Sequence, residues 1–273
     1  MYACNLSHLD KQNISNEEIL LIIQSRSNPQ GLSSTIKMCL ETCTSQNNFK
    51  IVCFIDDDQV DLYASVREKF PQTFWVTSRH LQGDWSNTLR EQLKFIRSSN
   101  CFFVWRFSDD VRGLNRGWDT HILDRKNSFK DEIFTLYGYK TRNPHLCSIG
   151  YNCSDDLCEV FCKILHSAEC LPIWTKRWSE LILPLCIDTG YSSQIELFTA
   201  MLVFLLQSRH GLTRIISCGA SYDLIVDSGN SLKFLDRQNR TKYNSFFSFL
   251  SADSLKIFEP TIEKILTEIS AIN

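Results

Sequence analysis

Four short apolar runs set the rhythm of the first part of the chain: EEILLIIQ (17–24), KIVCFI (50–55), TFWVT (73–77) and CFFVW (101–105). Compact runs of this kind, unbroken by polar alternation, suit strands covered on both faces. Residues 38–43, 60–70 and 87–96 lie between them and read as helices, with Ser33, Ser34 or Thr35 available to cap the first and Asp84 or Ser86 the third. Repeated strand, helix, strand predicts right-handed crossovers and a parallel sheet. It also gathers whatever follows each strand at one sheet edge: Ser25 and Arg26 after the first, Asp56, Asp57 and Asp58 after the second, Asp109 and Asp110 after the fourth.

Beyond that region the pattern is looser. EIFTLYGY (132–139) reads as a strand, and 172–207 as a loop followed by a long apolar helix containing the longest apolar run, 200–206. Ile262, Ile265, Leu266 and Ile269 keep helical spacing, so the last helix is amphipathic and is expected to dock on the body. Its polar face is not markedly basic, which disfavours a membrane-surface role. Cys158, Cys162, His166 and Cys170 recur every four residues along a predicted helix, 156–169. Zinc could use two or three of them, but structural zinc sites usually combine close Cys pairs from turns, so a Cys-rich core face is the preferred account. RQNRTK (237–242) is a polar, basic segment that reads as an exposed loop.

Composition narrows the classes. A length of 273 residues allows one large or two small domains, and a net charge of -2 argues against general nucleic-acid binding, which wants a basic excess. No apolar run is long enough to span a bilayer, and MYACNLSHLDKQN lacks the basic start and apolar block of a secretory signal. The expectation is a cytoplasmic protein whose 12 cysteines are reduced. Asn-X-Ser/Thr triplets at Asn5, Asn13, Asn152 and Asn239 are then silent. The chain has no G-x-G-x-x-G, no G-x-x-x-x-G-K-S/T and no G-x-S-x-G, which argues against dinucleotide oxidoreductases, P-loop NTPases and α/β-hydrolases.

The chemistry concentrates at SNCFFVWRFSDDVRGLNRGWDT (99–120), where an apolar strand ends in carboxylates. Acids just past the carboxyl end of a central strand lie where open α/β sheets bind ligands, and their hard oxygens suit Mg²⁺ or Mn²⁺. A divalent cation would relieve the repulsion between them and partner a diphosphate. The same three residues, Ser-Asp-Asp, equally suit a solvated turn that caps a helix.

The succession of first strand, SRSNP loop, helix, strand ending FIDDD, GDWSNTLREQL helix, strand, SDD and GWD resembles the GT-A nucleotide-diphospho-sugar glycosyltransferases, most of all their family 2. The resemblance covers most of 17 to about 205 and is best before Asp124. It implies a Rossmann-like, mostly parallel α/β sheet flanked by helices, with an elaborated C-terminal portion. Residues 1–16 become an extension, 17–227 a catalytic unit with a nucleotide half (17–124) and an acceptor half (125–227), and 228–273 a loop and helix packed on it. Carried over by position, Ser25, Arg26 and Asp57 hold base and ribose, and Gly83, Asn87 and Arg90 face the nucleotide sugar. Asp110 binds the metal, Mn²⁺ or Mg²⁺, that bridges the diphosphate, and Asp109 touches ribose or sugar. Trp118 and Asp119 line the donor or acceptor pocket. Relatives place their base near the start of a helix like that in 172–207, which nominates Glu196 first and Asp188 second. A helix-start acid that complements the dipole explains Glu196 equally well. Trp174 and Trp178 could stack on sugars or pack the core.

Three features depart from the family. Asp58 and Gln59 stand where relatives have Gly-Ser, the acidic signature begins with Ser108, and Tyr222 and Asp223 occupy the neighbourhood of a late metal-binding histidine, making Asp223 a substitute ligand. The implied activity is transfer of a hexosyl group from a UDP-linked donor to a saccharide or other hydroxyl, with inversion. The alternatives are a degenerate nucleotide-sugar binder or interaction protein, and a nucleotidyltransferase on a related fold, whose glycine-rich basic loop is missing.

Overall fold

The computed structural model describes residues 18–79, 85–109, 111–140, 172–190, 195–224 and 255–272. Four parallel strands form its first half: β1 (Ile19–Ser25), β2 (Phe49–Asp56), β3 (Phe74–Ser78) and β4 (Phe103–Ser108). The two-residue β5 (Val111–Arg112) follows, then β6 (Thr135–Lys140), β7 (Ile173–Thr175) and β8 (Ile215–Leu224). The sheet order is β3-β2-β1-β4-β7-β6-β8-β5. β7 runs antiparallel to both β4 and β6, β8 is parallel to β6, and β5 is antiparallel to the end of β8.

Helices cover both faces, which is why the central strands are apolar throughout. Ile19, Leu21, Ile23, Phe103, Trp105 and Phe107 point to one face and meet Leu32, Ile36 and Cys39 of α1 (Pro29–Thr42), Val66 of α2 (Ala64–Lys69), and Trp118 and Ile122 of α4 (Trp118–Leu123). Leu20, Ile22, Val52, Phe54 and Val104 point to the other face, against α3 (Ser86–Ser98), α5 (Lys176–Asp188), α6 (Ile195–His210) and α7 (Glu259–Ser270). Among the described residues no helix is long and apolar enough to cross a membrane.

Several expected boundaries move, each for a local reason. The first helix starts at Pro29, before the expected Ser33, Ser34 or Thr35, because Asn28 caps it, accepting a hydrogen bond of 3.0 Å from the Gly31 backbone N–H, and proline is pre-set for the first helical position. The fourth strand starts two residues later than 101–105 and runs on to Ser108, through Arg106. The Arg106 Nε donates to Gln92 Oε1 at 3.2 Å and its Nη2 to Gln24 Oε1 at 3.4 Å, so two neutral amides receive the guanidinium. The stretch 172–207 is a strand and two helices, where a loop and one helix were expected. β7 has only three residues, too few to show a period, and Gly190, at φ +73, follows α5 in a left-handed conformation that glycine adopts without strain. Trp174 and Trp178 are fully buried, so both are core residues rather than sugar platforms.

The last helix docks as its spacing predicts. Ile262, Ile265 and Ile269 are buried in the core shared with α5 and α6. Arg177 of α5 donates to Glu268 at 2.5 Å, and Arg209 of α6 pairs with Glu259.

Candidate functional site

Ser25, Asp56 and Ser108 end three adjacent parallel strands, so the loops that follow them share one edge of the sheet. There the Ser25 hydroxyl donates to Asp109 Oδ2 at 2.5 Å. Behind it the Ser25 oxygen lies 2.7 Å from the Tyr63 hydroxyl, and the Asn28 backbone N–H donates to that same hydroxyl at 3.1 Å. Thr35 of α1 donates to the Asp109 backbone carbonyl at 3.1 Å. Asp109 is therefore half-buried and held against the first-strand loop, not turned out as a solvated cap.

Arg26 lies next to this contact and is claimed by acids of its own chain. It donates to Asp56 and makes two parallel bonds of 3.0 Å to Asp58. These bonds, Asp58 first and Asp56 second, push the guanidinium pKa above its ordinary value. Asp57, expected with Ser25 and Arg26 to hold the base and ribose, opens the 3₁₀ turn Asp57–Tyr63 at this edge and is exposed. Ser27 takes a left-handed φ of +56, and both its backbone N–H and its hydroxyl donate to Gln59 Oε1, at 2.8 and 3.0 Å. Asp58 and Gln59, the residues that depart from the Gly-Ser pattern, thus tie the second-strand loop to the first.

Asn87 and Arg90 sit in the first turns of α3, which follows β3 at the same edge. Arg90 is exposed and donates to Asn87 Oδ1 at 3.3 Å. Gly83 and Asp110 lie outside the described residues, as do the Cys158, Cys162, His166 and Cys170 stripe, segment 237–242 and the Asn5, Asn13, Asn152 and Asn239 triplets.

Trp118 and Asp119 require a correction. Both are fully buried, Trp118 against Phe49 and Trp105, with its indole N–H donating to the Cys39 carbonyl at 3.3 Å. Asp119 accepts from the backbone N–H groups of Thr44 (2.7 Å) and Ser45 (3.0 Å) and from Asn48 Nδ2 (2.8 Å). Residues 44–48 enter β2 from the amino end, so Asp119 fastens the edge opposite the Asp109 turn and lines no donor pocket there. Burial alone would raise its pKa, but these hydrogen bonds and one from its own backbone N–H together outweigh burial and hold it below the ordinary aspartate value.

The remaining candidates are placed by backbone. β5 pairs Arg112 with Asp223, which sets position 223 beside the chain leaving the Asp109 turn; the Asp223 side chain is outside the described residues. α6 ends at His210, and residues 211–214 lead from it into β8 at Ile215, paired with Thr135 at the start of β6. The helix therefore ends near the amino edge of these strands, and its first turn, with Glu196, lies toward the carboxyl edge; the Glu196 side chain is likewise undescribed. Asp188 is exposed at the end of α5.

Among the described residues no three of His, Cys, Asp and Glu converge as a metal site. The donor chemistry nevertheless fits Mg²⁺ or Mn²⁺: Asp110 follows Asp109 in the sequence and the β5–β8 pairing carries position 223 beside the same turn, both hard oxygen donors. Tyr63 was not singled out from sequence, whereas Thr35 was expected only as a cap, Asp56 and Asp58 only as members of the acidic triplet, and Gln59 only as a departure from the family pattern. Tyr63 has no local signal, since it sits in a stretch that reads as one helical face.

No protein-family model and no curated protein matches this sequence. In three dimensions the chain is similar to the mannosyltransferase PcManGT from Pyrobaculum calidifontis, solved with GDP-Man and Mn²⁺: TM-score 0.54, 11% identity, 93% of this chain and 73% of that one covered. It is also similar to glucosyl-3-phosphoglycerate synthase from Mycobacterium tuberculosis in complex with Mn²⁺, UDP and glucosyl-3-phosphoglycerate: TM-score 0.52, 11% identity, 81% and 77% covered. The same synthase with UDP-glucose and phosphoglyceric acid gives a TM-score of 0.51 at 12% identity, with 81% and 76% covered. At such identities the likeness speaks to architecture, and it agrees with the strand order and the sequence resemblance: this chain has the GT-A fold of the nucleotide-diphospho-sugar glycosyltransferases.

Proposed function

We propose that the chain is a metal-dependent glycosyltransferase that moves a hexosyl group from a nucleotide sugar, UDP-linked, to the hydroxyl of a saccharide or other acceptor. The observation that carries this reading is the Ser25–Asp109 contact, which seats the acid turn against the first-strand loop at the carboxyl edge of a GT-A sheet. Ser25, Arg26 and Asp57 border the base and ribose, Asn87 and Arg90 the nucleotide sugar, and Asp109 the ribose or sugar. Asp110 and Asp223 hold Mn²⁺ or Mg²⁺, which when bound neutralises charge on the diphosphate.

The reaction forms a bond from the acceptor oxygen to the anomeric carbon and breaks the bond to the diphosphate, which leaves with the electron pair. The acceptor proton goes to a carboxylate, Glu196 first or Asp188 second. A base opposite the leaving group makes the displacement in-line and inverts the anomeric centre.

The test is hydrolysis of UDP-sugars with and without Mn²⁺, in wild type and Asp110→Asn. The reading expects metal-dependent turnover lost in the variant; turnover that survives Asp110→Asn, or its absence with every nucleotide sugar, overturns it.

The Arg26 clamp favours a second reading. Asp56 and Asp58 flank Asp57, the acid implied to meet the ribose, and both are engaged by Arg26. A scaffold that binds a nucleotide without turning it over fits that arrangement, and Mn²⁺-dependent UDP binding without hydrolysis would identify it.

A further inference from the structure

We infer that Tyr63 and Ser25 are positioning residues that set the direction of the Asp109 carboxylate through a one-way hydrogen-bond chain. The inference rests on the glycosyltransferase reading and deepens it.

The direction follows from what each group is able to donate. The Asn28 backbone N–H has a hydrogen and no lone pair to offer, so at 3.1 Å the Tyr63 oxygen must accept from it. An ionised carboxylate only accepts, so the hydrogen of Ser25 goes to Asp109 Oδ2 at 2.5 Å. Ser25 has one hydrogen and has spent it. The 2.7 Å contact between the two hydroxyls is therefore donated by Tyr63, although by distance alone either could be the donor. The run is Asn28 N–H to Tyr63 O–H to Ser25 O–H to Asp109, with every hydrogen assigned.

Burial makes the chain rigid. Tyr63 is 0% and Ser25 3% exposed, so water has little room to replace a broken link. Thr35, also 0% exposed, holds the Asp109 carbonyl at 3.1 Å and lies 3.4 Å from the Val111 carbonyl. The carboxylate is thus fixed from one side by Ser25 and the backbone around it from another by α1. Tyr63 also closes the 3₁₀ turn that carries Asp58 near its start, so the Arg26 clamp and the Asp109 turn share one short, stiff element. A ligand-facing carboxylate aligned by such outer partners needs no reorganisation when its ligand arrives.

The experiment uses the full chain and measures equilibrium binding of UDP with Mn²⁺ for wild type, Tyr63→Phe, Ser25→Ala, Asp109→Asn and the double variant Tyr63→Phe/Asp109→Asn. Thermal unfolding confirms that each is folded. Tyr63→Phe keeps the ring in its pocket and deletes only the hydroxyl; Ser25→Ala leaves the Asn28–Tyr63 bond intact, so either variant suffices if the other fails to fold. The expected result is affinity about 10-fold to 100-fold weaker in each. On the Asp109→Asn background, Tyr63→Phe should have no further effect, because its influence passes through that carboxylate. Losses that add in the double variant would reveal a general structural role and overturn the inference. So would single variants that bind within twofold of a wild type that does bind. A wild type that binds no UDP with Mn²⁺ overturns the glycosyltransferase reading, and this inference with it.

Discussion

The carboxylate of Asp119 offers the clearest single-residue prediction. Its three donors come from the segment entering β2, and its pKa is held below the ordinary aspartate value, about 3.9. A group whose folded pKa is depressed contributes stability above its unfolded pKa and loses that contribution as pH falls through the folded value. Asp119→Asn should therefore destabilise the protein by about 1–3 kcal/mol at pH 7, with the gap to wild type closing below about pH 4 in denaturant titrations run across pH. A gap that is constant with pH would mean that shape, not charge, matters at this position. Sequence could show that GWD was distinctive but not which edge it served. That depends on Asp119 meeting residues 44–48, a pairing of distant segments that no local pattern encodes. Asp109 was legible for the opposite reason: a buried strand running into acids is a local pattern with a fixed place in a parallel sheet.

At the scale of elements, the start of α1 is sensitive to a substitution usually thought harmless. A Cβ on Gly31 would lie 2.1 Å from Asn28 Nδ2 and 2.6 Å from its Cγ and Oδ1, inside the side chain that makes the cap. Gly31→Ala should destabilise by about 1 kcal/mol through loss of that cap, despite the better helix propensity of alanine, and Asn28→Ala should lose a similar amount. Chemical denaturation of both variants checks this; a stabilised Gly31→Ala would show that the cap can move aside. The docking of α7 allows a contrast of mechanisms. Ile265 is fully buried, so Ile265→Ala should lose about 2–5 kcal/mol, whereas Arg177→Ala removes a partly exposed ion pair and should lose less than about 1 kcal/mol. Elements buried on two faces, β1, β2 and β4, could be read from composition alone. β7 could not, because three residues carry no period and its antiparallel direction comes from its neighbours.

For the molecule as a whole, the proposed activity makes a prediction independent of turnover. A ligand that binds only the folded chain stabilises it by mass action, about 2.7 kcal/mol at a hundred times its Kd, or roughly 5–10 °C for a chain of this size. UDP with Mn²⁺ should raise the melting temperature of wild type by that order and of Asp110→Asn by much less. No shift with any nucleotide sugar would separate the fold, which stands on the strand order, from the site, which would then fall. The parallel half was visible in sequence because crossovers impose a regular spacing on strands and helices. The mixed half was not, since β6, β7 and β8 owe their arrangement to partners distant along the chain.

A ladder of only two paired positions governs when the acid turn becomes complete. Val111 and Arg112 leave that turn and pair with Leu224 and Asp223, the last residues of the final strand. Rungs between such distant positions close late in folding, because the loop between them must be gathered first. A polypeptide emerging in order would build its first four strands well before that rung could form. The Asp109 turn would then wait, unbraced on one flank, until β8 arrived, so that its final shape is among the last things this chain assembles.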